Sequence, residues 1–242
     1  MNRKLLVGAA VVVAIIAGAL IWLNFLRDEG PEEFSLTEDT LEGSAESTTG
    51  TGTSDGTSPS SPDDDVLDSV EGTWTVAEGS EAGYRVVEDL QGINDFEAVG
   101  RTDQVSGSVT VEGTAVTDAS FEIDVASIVS DSDKRDGAFT GSDIMNAAEF
   151  PTASFVLTEA ADFGSVPAPG EVITAAVVGE LTLRDSTQPV EFDIEAQILD
   201  GKIELVGSID VTFADYGIDN PSNPFVAVRD EGTVEVKLLL EQ

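Results

Sequence analysis

The sequence predicts an all-β domain: an antiparallel β-barrel of about eight strands with a short helical insertion, preceded by a single transmembrane helix and a disordered linker. Three observations carry this. Apolar residues recur at every second position from Glu71 to the C-terminus. An unbroken apolar run stands near the N-terminus. The centre of the stretch between the two has almost no apolar side chains.

The N-terminal element, residues 1–27, is read as a membrane anchor. Leu5 to Leu26 form a run whose one polar member is Asn24. As a helix it spans about 33 Å, enough for the hydrocarbon core of a bilayer, and it exceeds the apolar part of a secretory signal. Arg3 and Lys4 precede it, while acids follow Arg27, so the positive-inside rule places the N-terminus in the cytoplasm and the remainder outside, with Trp22 near the outer interface.

Residues 28–70 are read as a disordered acidic linker. Its centre, SAESTTGTGTSDGTSPSSPDDD (Ser44–Asp65), cannot bury enough apolar surface to offset chain entropy. As a coil it reaches roughly 35 Å. Asp63-Asp64-Asp65 fits a solvated linker far better than a metal site.

From residue 71 to 242 the pattern has period two, the signature of strands with one buried face. Val105, Val109 and Val111 mark one face; Phe121, Ile123 and Val125 mark the next. Phe155 and Leu157 follow, then Val177, Leu181 and Leu183, then Val190, Phe192, Ile194, Ala196 and Ile198. Ile203, Leu205, Ile209, Val211 and Phe213 alternate after them, and Val234 to Leu240 close the chain. Asp200-Gly201 and Glu112-Gly113 supply tight hairpin turns. A meander of this size closes into a barrel because closure removes exposed edges, with a two-sheet sandwich as the alternative. The inward faces read as aliphatic or Phe, with no inward carboxylate pair and no buried cation. Periodicity alone leaves two possibilities: a solid core, which it favours, or a lumen for one apolar ligand.

Ser132 to Glu149 break the alternation. Asp131 or Asp133 is placed to cap a short helix. Lys134 and Arg135 stand side by side there in a chain with few cations. Arg135 and Asp136 are read as a clasp holding this excursion as a lid, with recognition of a ligand headgroup as the alternative.

The chain has 47 acidic and 11 basic residues, no cysteine and no histidine, for a net charge of −36. That rules out disulfides, thiolate or histidine catalysis and Cys/His metal sites. It also argues against nucleic-acid binding. No phosphate-binding glycine loop or nucleophile elbow occurs. The remaining carboxylates, Ser, Thr and Tyr show no catalytic spacing, so an enzyme is not expected.

Six stretches carry a resemblance: GTWTVAEGSEAGYRV (Gly72–Val86), VGRTDQVSGSVTVEG (Val99–Gly113), FEIDVASIVSDSDKRDGAF (Phe121–Phe139), EFPTASFVLT (Glu149–Thr158), VVGELTLRDSTQPVEF (Val177–Phe192) and VTFADYGIDNPS (Val211–Ser222). In this order they resemble the YceI-like family of polyisoprenoid-binding proteins, in the membrane-tethered form of actinobacteria. The resemblance covers residues 71–242. It implies a lipocalin-like barrel whose open apolar tunnel holds an isoprenoid chain, of quinone or polyprenyl type, with no catalytic residue, metal or other cofactor. Some family members carry a histidine where this chain has Glu88-Asp89. The lumen residues it suggests here are Ile123, Val125, Phe139, Phe150, Phe155, Leu181, Phe192, Ile194, Ile209 and Phe213. The expectation is thus an extracellular lipid-binding protein, anchored in the cell membrane by one span at residues 5–26. A structural or adhesive surface domain without a ligand is the alternative.

Overall fold

Asp200 and Gly201 both take positive φ, 49° and 74°. That is the left-handed pair a two-residue hairpin needs, and it fixes Leu199 opposite Lys202. Two-residue turns at Gly113–Thr114 and Arg184–Asp185 join other neighbouring strands in the same way. The computed structural model describes residues 30–38, 70–90 and 93–242. The strands are β1 (Gly72–Val76), β2 (Glu81–Leu90), β3 (Ile93–Thr102), β4 (Val105–Glu112), β5 (Ala115–Asp124), β6 (Thr152–Leu157), β7 (Ala161–Asp162), β8 (Ile173–Leu183), β9 (Ser186–Leu199), β10 (Lys202–Thr212), β11 (Val226–Val228) and β12 (Glu231–Glu241). One helix, α1 (Asp133–Phe139), stands between β5 and β6.

Hydrogen bonding runs β1-β4-β5-β6-β8-β9-β10-β12, and β12 returns to β1 through Thr75↔Glu241 and Val76↔Leu240. The ring is therefore a closed antiparallel barrel of eight strand positions, and the sandwich is excluded. Two positions are filled by broken strands. β1 continues into β2 past a corner at Ala77–Ser80, and both lie along β12. Their partners β4 and β3 are likewise successive. The Ser80 hydroxyl mends the ladder at the corner, donating to Ala77 O at 2.8 Å and accepting from Leu239 N at 2.9 Å. Ala77 O also accepts from Ser80 N at 3.3 Å, so it is the Leu239 N–H that depends on this hydroxyl. Two core clusters fill the ends, one around Trp74, Leu238 and Leu240, the other around Val125, Leu181 and Tyr216.

The helical insertion forms as expected, but its cap is Ser132, whose hydroxyl accepts from Arg135 N, and not Asp131 or Asp133. Asp131 instead pairs with Arg135. The apolar run at residues 5–26 lies outside the described residues. Among those described, no helix is long and apolar enough to cross a membrane.

The expected linker is corrected over residues 30–38. This strap lies extended on the outer wall of the barrel. Arg85 donates to Pro31 O at 2.8 Å, Lys237 to Ser35 O at 3.1 Å and Gln197 to Thr37 O at 2.9 Å. Thr37 donates from both its backbone N and its hydroxyl to Glu204, at 3.0 and 2.7 Å. The Phe34 ring stacks under the Arg101 guanidinium at 3.9 Å. The charged wall residues beneath are correspondingly buried: Glu204 is 1% exposed and Glu235 3%. Polar side chains on outward positions are dry here because the strap covers them.

Candidate functional site: a two-lobed apolar bore

The inward side chains do not fill the barrel. A far lobe of about 150 Å³ is lined by residues that include Val109, Phe121, Leu181, Ile198 and Leu240. A near lobe of about 340 Å³ lies beneath α1 and is lined by residues that include Tyr84, Val86, Phe139, Met145 and Phe213. Ile123, Ala153 and Val234 belong to the walls of both. A cavity of about 150 Å³ with apolar walls stays dry and accepts apolar guests.

Local sequence keeps the bore open. Phe155 reaches inward from β6 and lies flat against the bare backbone of Gly179 on β8. A Cβ at Gly179 would come within 2.4 Å of the ring. Phe192 meets Phe155 edge-on, centroids 5.5 Å apart. Glycine at 179 thus lets a large ring tile the wall instead of plugging the lumen.

The near lobe has a polar edge, which corrects the expectation of an interior of aliphatic and Phe side chains. Tyr84, Val86 and Glu88 take alternate positions of β2 and all line it, as do Lys134 and Arg135 of α1. The Tyr84 ring stacks on Phe139, centroids 4.4 Å apart. Burial pushes the Tyr84 phenol up to about 12, against the pull of Arg135 and with further upward pressure from Asp136 and Glu88. At neutral pH it keeps its proton and is a hydrogen-bond donor, not a base.

Arg135 and Asp136 do not pair with each other. Arg135 reaches Glu88 on β2 at 3.6 Å, pairs with Asp131, and lies 5.7 Å from the Phe96 ring. Asp136 accepts from the backbone N and hydroxyl of Ser130, at 2.8 and 2.6 Å. The helix is therefore held twice, to the barrel by Arg135 and to its own entry loop by Asp136.

Of the lumen residues picked from sequence, Phe155, Leu181, Phe192, Ile194 and Ile209 line the far lobe. Val125, Phe139 and Phe213 line the near lobe, and Ile123 lines both. Phe150 lines neither. It lies 6.0 Å from the Arg184 guanidinium. Its even position is opposite in phase to inward Ala153 and Phe155 on the strand that follows Pro151. Glu88 was marked only through the resemblance, and sequence reading missed Tyr84, because EAGYRVVEDL mixes charge into both faces of β2. The signal available was the alternation of Tyr84, Val86 and Glu88 itself.

Residues 74–240 match the YceI-like domain. A UPF0312 protein of Shewanella denitrificans is 31% identical over 134 residues, 52% of this chain and 66% of that protein's own length. Among solved structures, a polyisoprenoid binding domain from Saccharophagus degradans implicated in plant cell wall breakdown aligns with a TM-score of 0.55 at 18% identity, over 70% of this chain and 97% of that one. BcnA of Burkholderia cenocepacia aligns with a TM-score of 0.50 at 20% identity, over 65% and 95% of the two chains. The family match spans most of the barrel, from the Trp74 strand to the closing strand at Leu240, and on it the chain belongs to the YceI-like family.

Proposed function

We propose that this protein is a membrane-anchored, extracytoplasmic carrier that shelters an isoprenoid chain in its bore. The observation that carries the reading is the unfilled, two-lobed apolar lumen within an otherwise closed barrel. The tail occupies the far lobe, whose walls are almost wholly hydrocarbon. The head lies in the near lobe, where the Tyr84 hydroxyl, Glu88 and Arg135 stand at the edge. A related barrel supports the class of ligand, since that of Saccharophagus degradans is a polyisoprenoid binding domain.

The charge at the head site favours a neutral group. Arg135 is already matched by Glu88 and Asp131, and Asp136 lies close behind. A phosphate there would meet Glu88, Asp131 and Asp136 against Arg135 and Lys134, more negative than positive charge. A quinone carbonyl or prenyl hydroxyl would instead use the protonated Tyr84 as donor. No bond is made or broken in this reading. The apolar run at residues 5–26 anchors the carrier and puts the barrel on the outer side.

The test is native mass spectrometry of the full chain extracted gently from membranes, followed by uptake of added quinones, polyprenols and polyprenyl phosphates. Bound masses forming a series spaced by one isoprene unit, with neutral heads preferred, are expected. Bare protein that takes up none of the added lipids would overturn the reading.

A further inference from the structure

The strap runs along the barrel wall with a defined direction. It begins at Gly30, where a Cβ would come within 2.9 Å of Glu97 O and 3.0 Å of Val99, so the chain enters hard against β3. Gly30 and Pro31 share a surface recess with Val129, Ser130 and Asp131, the loop that leads into α1. The strap then crosses Arg85 and Lys237 and ends with Thr37 on Glu204 and Gln197. Leu205 and Ile198, the neighbours of those last two residues, line the far lobe. The strap therefore runs along the wall from the lid end to the opposite end.

Only Arg27, Asp28 and Glu29 separate the apolar run from Gly30. Those four chain steps reach at most about 14 Å when fully extended. Residues 39–69, which would lengthen a simple leash, fall after the strap and return to Val70. The barrel's closing strand of 11 residues is about 36 Å long and, tilted as barrel strands are, raises the far end roughly 27 Å above the lid end.

We propose that, with residues 5–26 inserted, the strap holds the lid end against the bilayer and the near lobe opens toward lipid. This rests on the anchored-carrier reading and adds its orientation. The lid end carries the surface such a contact needs. Phe225, 70% exposed, lies in the segment whose Pro221, Asn223 and Val226 line the near lobe, and Val129, 62% exposed, lies beside the strap's entry. An apolar tail then passes between membrane and bore with little exposure to water. Asp131, Asp133 and Glu88 at the same end oppose binding to anionic headgroups, so the tether and these apolar residues hold the orientation, not charge.

The chain has no cysteine, so single reporters can be placed freely. Gly137→Cys on α1 and Glu112→Cys at the far hairpin each carry a small fluorophore in the full chain, reconstituted into phosphatidylcholine vesicles that contain nickel-chelating headgroups as quencher. Quenching of the Gly137→Cys label at least fivefold stronger than that of Glu112→Cys is expected. Phe34→Ala combined with Thr37→Ala should bring the two within twofold, and added salt should change neither. A chain that floats with the vesicles yet quenches equally at both sites overturns the orientation while leaving the anchor intact. A chain that does not float with the vesicles overturns the anchor and the orientation together.

Discussion

Ala153 offers the most direct test of whether the two lobes act as one bore. Its methyl lines both, with Ile123 and Val234. Ala153→Phe should plug the passage and leave the near lobe accessible. A benzene-sized guest suits a cavity of about 150 Å³, so the far lobe holds about one five-carbon isoprene unit and the near lobe somewhat more than two. Burial contributes about 0.8 kcal/mol per carbon, hence about 4 kcal/mol gross for the last unit. Ordering the chain offsets part of this, so a ten- to hundredfold loss in affinity is expected for a three-unit prenol, and no more than about threefold for a two-unit one. The assay is equilibrium titration of the full chain with prenols of two, three and four units. Ala176→Phe, at an exposed position of the same sheet, is the control for the added ring. Circular dichroism of both variants confirms folding. Unchanged affinity for every length in a folded Ala153→Phe would refute a continuous bore.

Arg135→Ala should speed ligand release about tenfold by freeing α1 from Glu88, while costing less than about 1 kcal/mol of stability, because the pair is partly solvated; stopped-flow displacement and chemical denaturation check the two halves. Gly179→Ala should drive the Phe155 ring into the lumen and destabilise the fold by about 1–3 kcal/mol, and Phe155→Leu in the same chain should restore binding. Glu204 gives a pH dependence. Burial alone would raise its pKa, but hydrogen bonds from Gln197, Lys237 and Thr37 overcome that and hold the carboxyl at about 2. Its folded pKa lies below its ordinary value of 4.5, so its contribution, about 3 kcal/mol, is full above that pH, falls as the solution is acidified and is gone below about 2. The stability difference between wild type and Glu204→Gln should shrink over that window; a difference constant from pH 6 to pH 2 would count against the assignment.

The barrel was legible because its strands alternate strictly. Phe192, Ile194, Ala196 and Ile198 on β9 can face only one way if one face is wet. Hairpin chemistry at Asp200-Gly201 then set the register. The break between β1 and β2 was not legible, because the Ser80 hydroxyl that bridges it looks like any loop serine. Periodicity could not say whether the bore was open. That depends on single contacts, such as Phe155 lying on Gly179, and not on pattern. Asp136 and Arg135 drew notice as neighbours, yet helix geometry aims side chains one residue apart in different directions, so they serve different partners. The strap was hidden because GPEEFSLTE is as polar as the linker around it. Its contacts are supplied from far along the chain, by Arg85, Arg101, Gln197, Glu204 and Lys237, and no local pattern records them.

An ionic seat differs from an apolar one in what it would leave exposed if the strap lifted. An apolar stripe across β2, β12 and β10 would bind the strap more simply, since burying charge carries a desolvation cost that ion pairing only partly offsets. It would also leave an exposed greasy band on a sheet wall whenever the strap lifted, a site for association between barrels. The Arg85–Glu235 pair, with Glu97 accepting from Arg85 at 2.6 Å, is satisfied with or without the strap. The strap adds carbonyl acceptors at Pro31, Glu32, Ser35 and Thr37, the Thr37 donors and the Phe34 ring. The seat can therefore be vacated without stranding a lone charge.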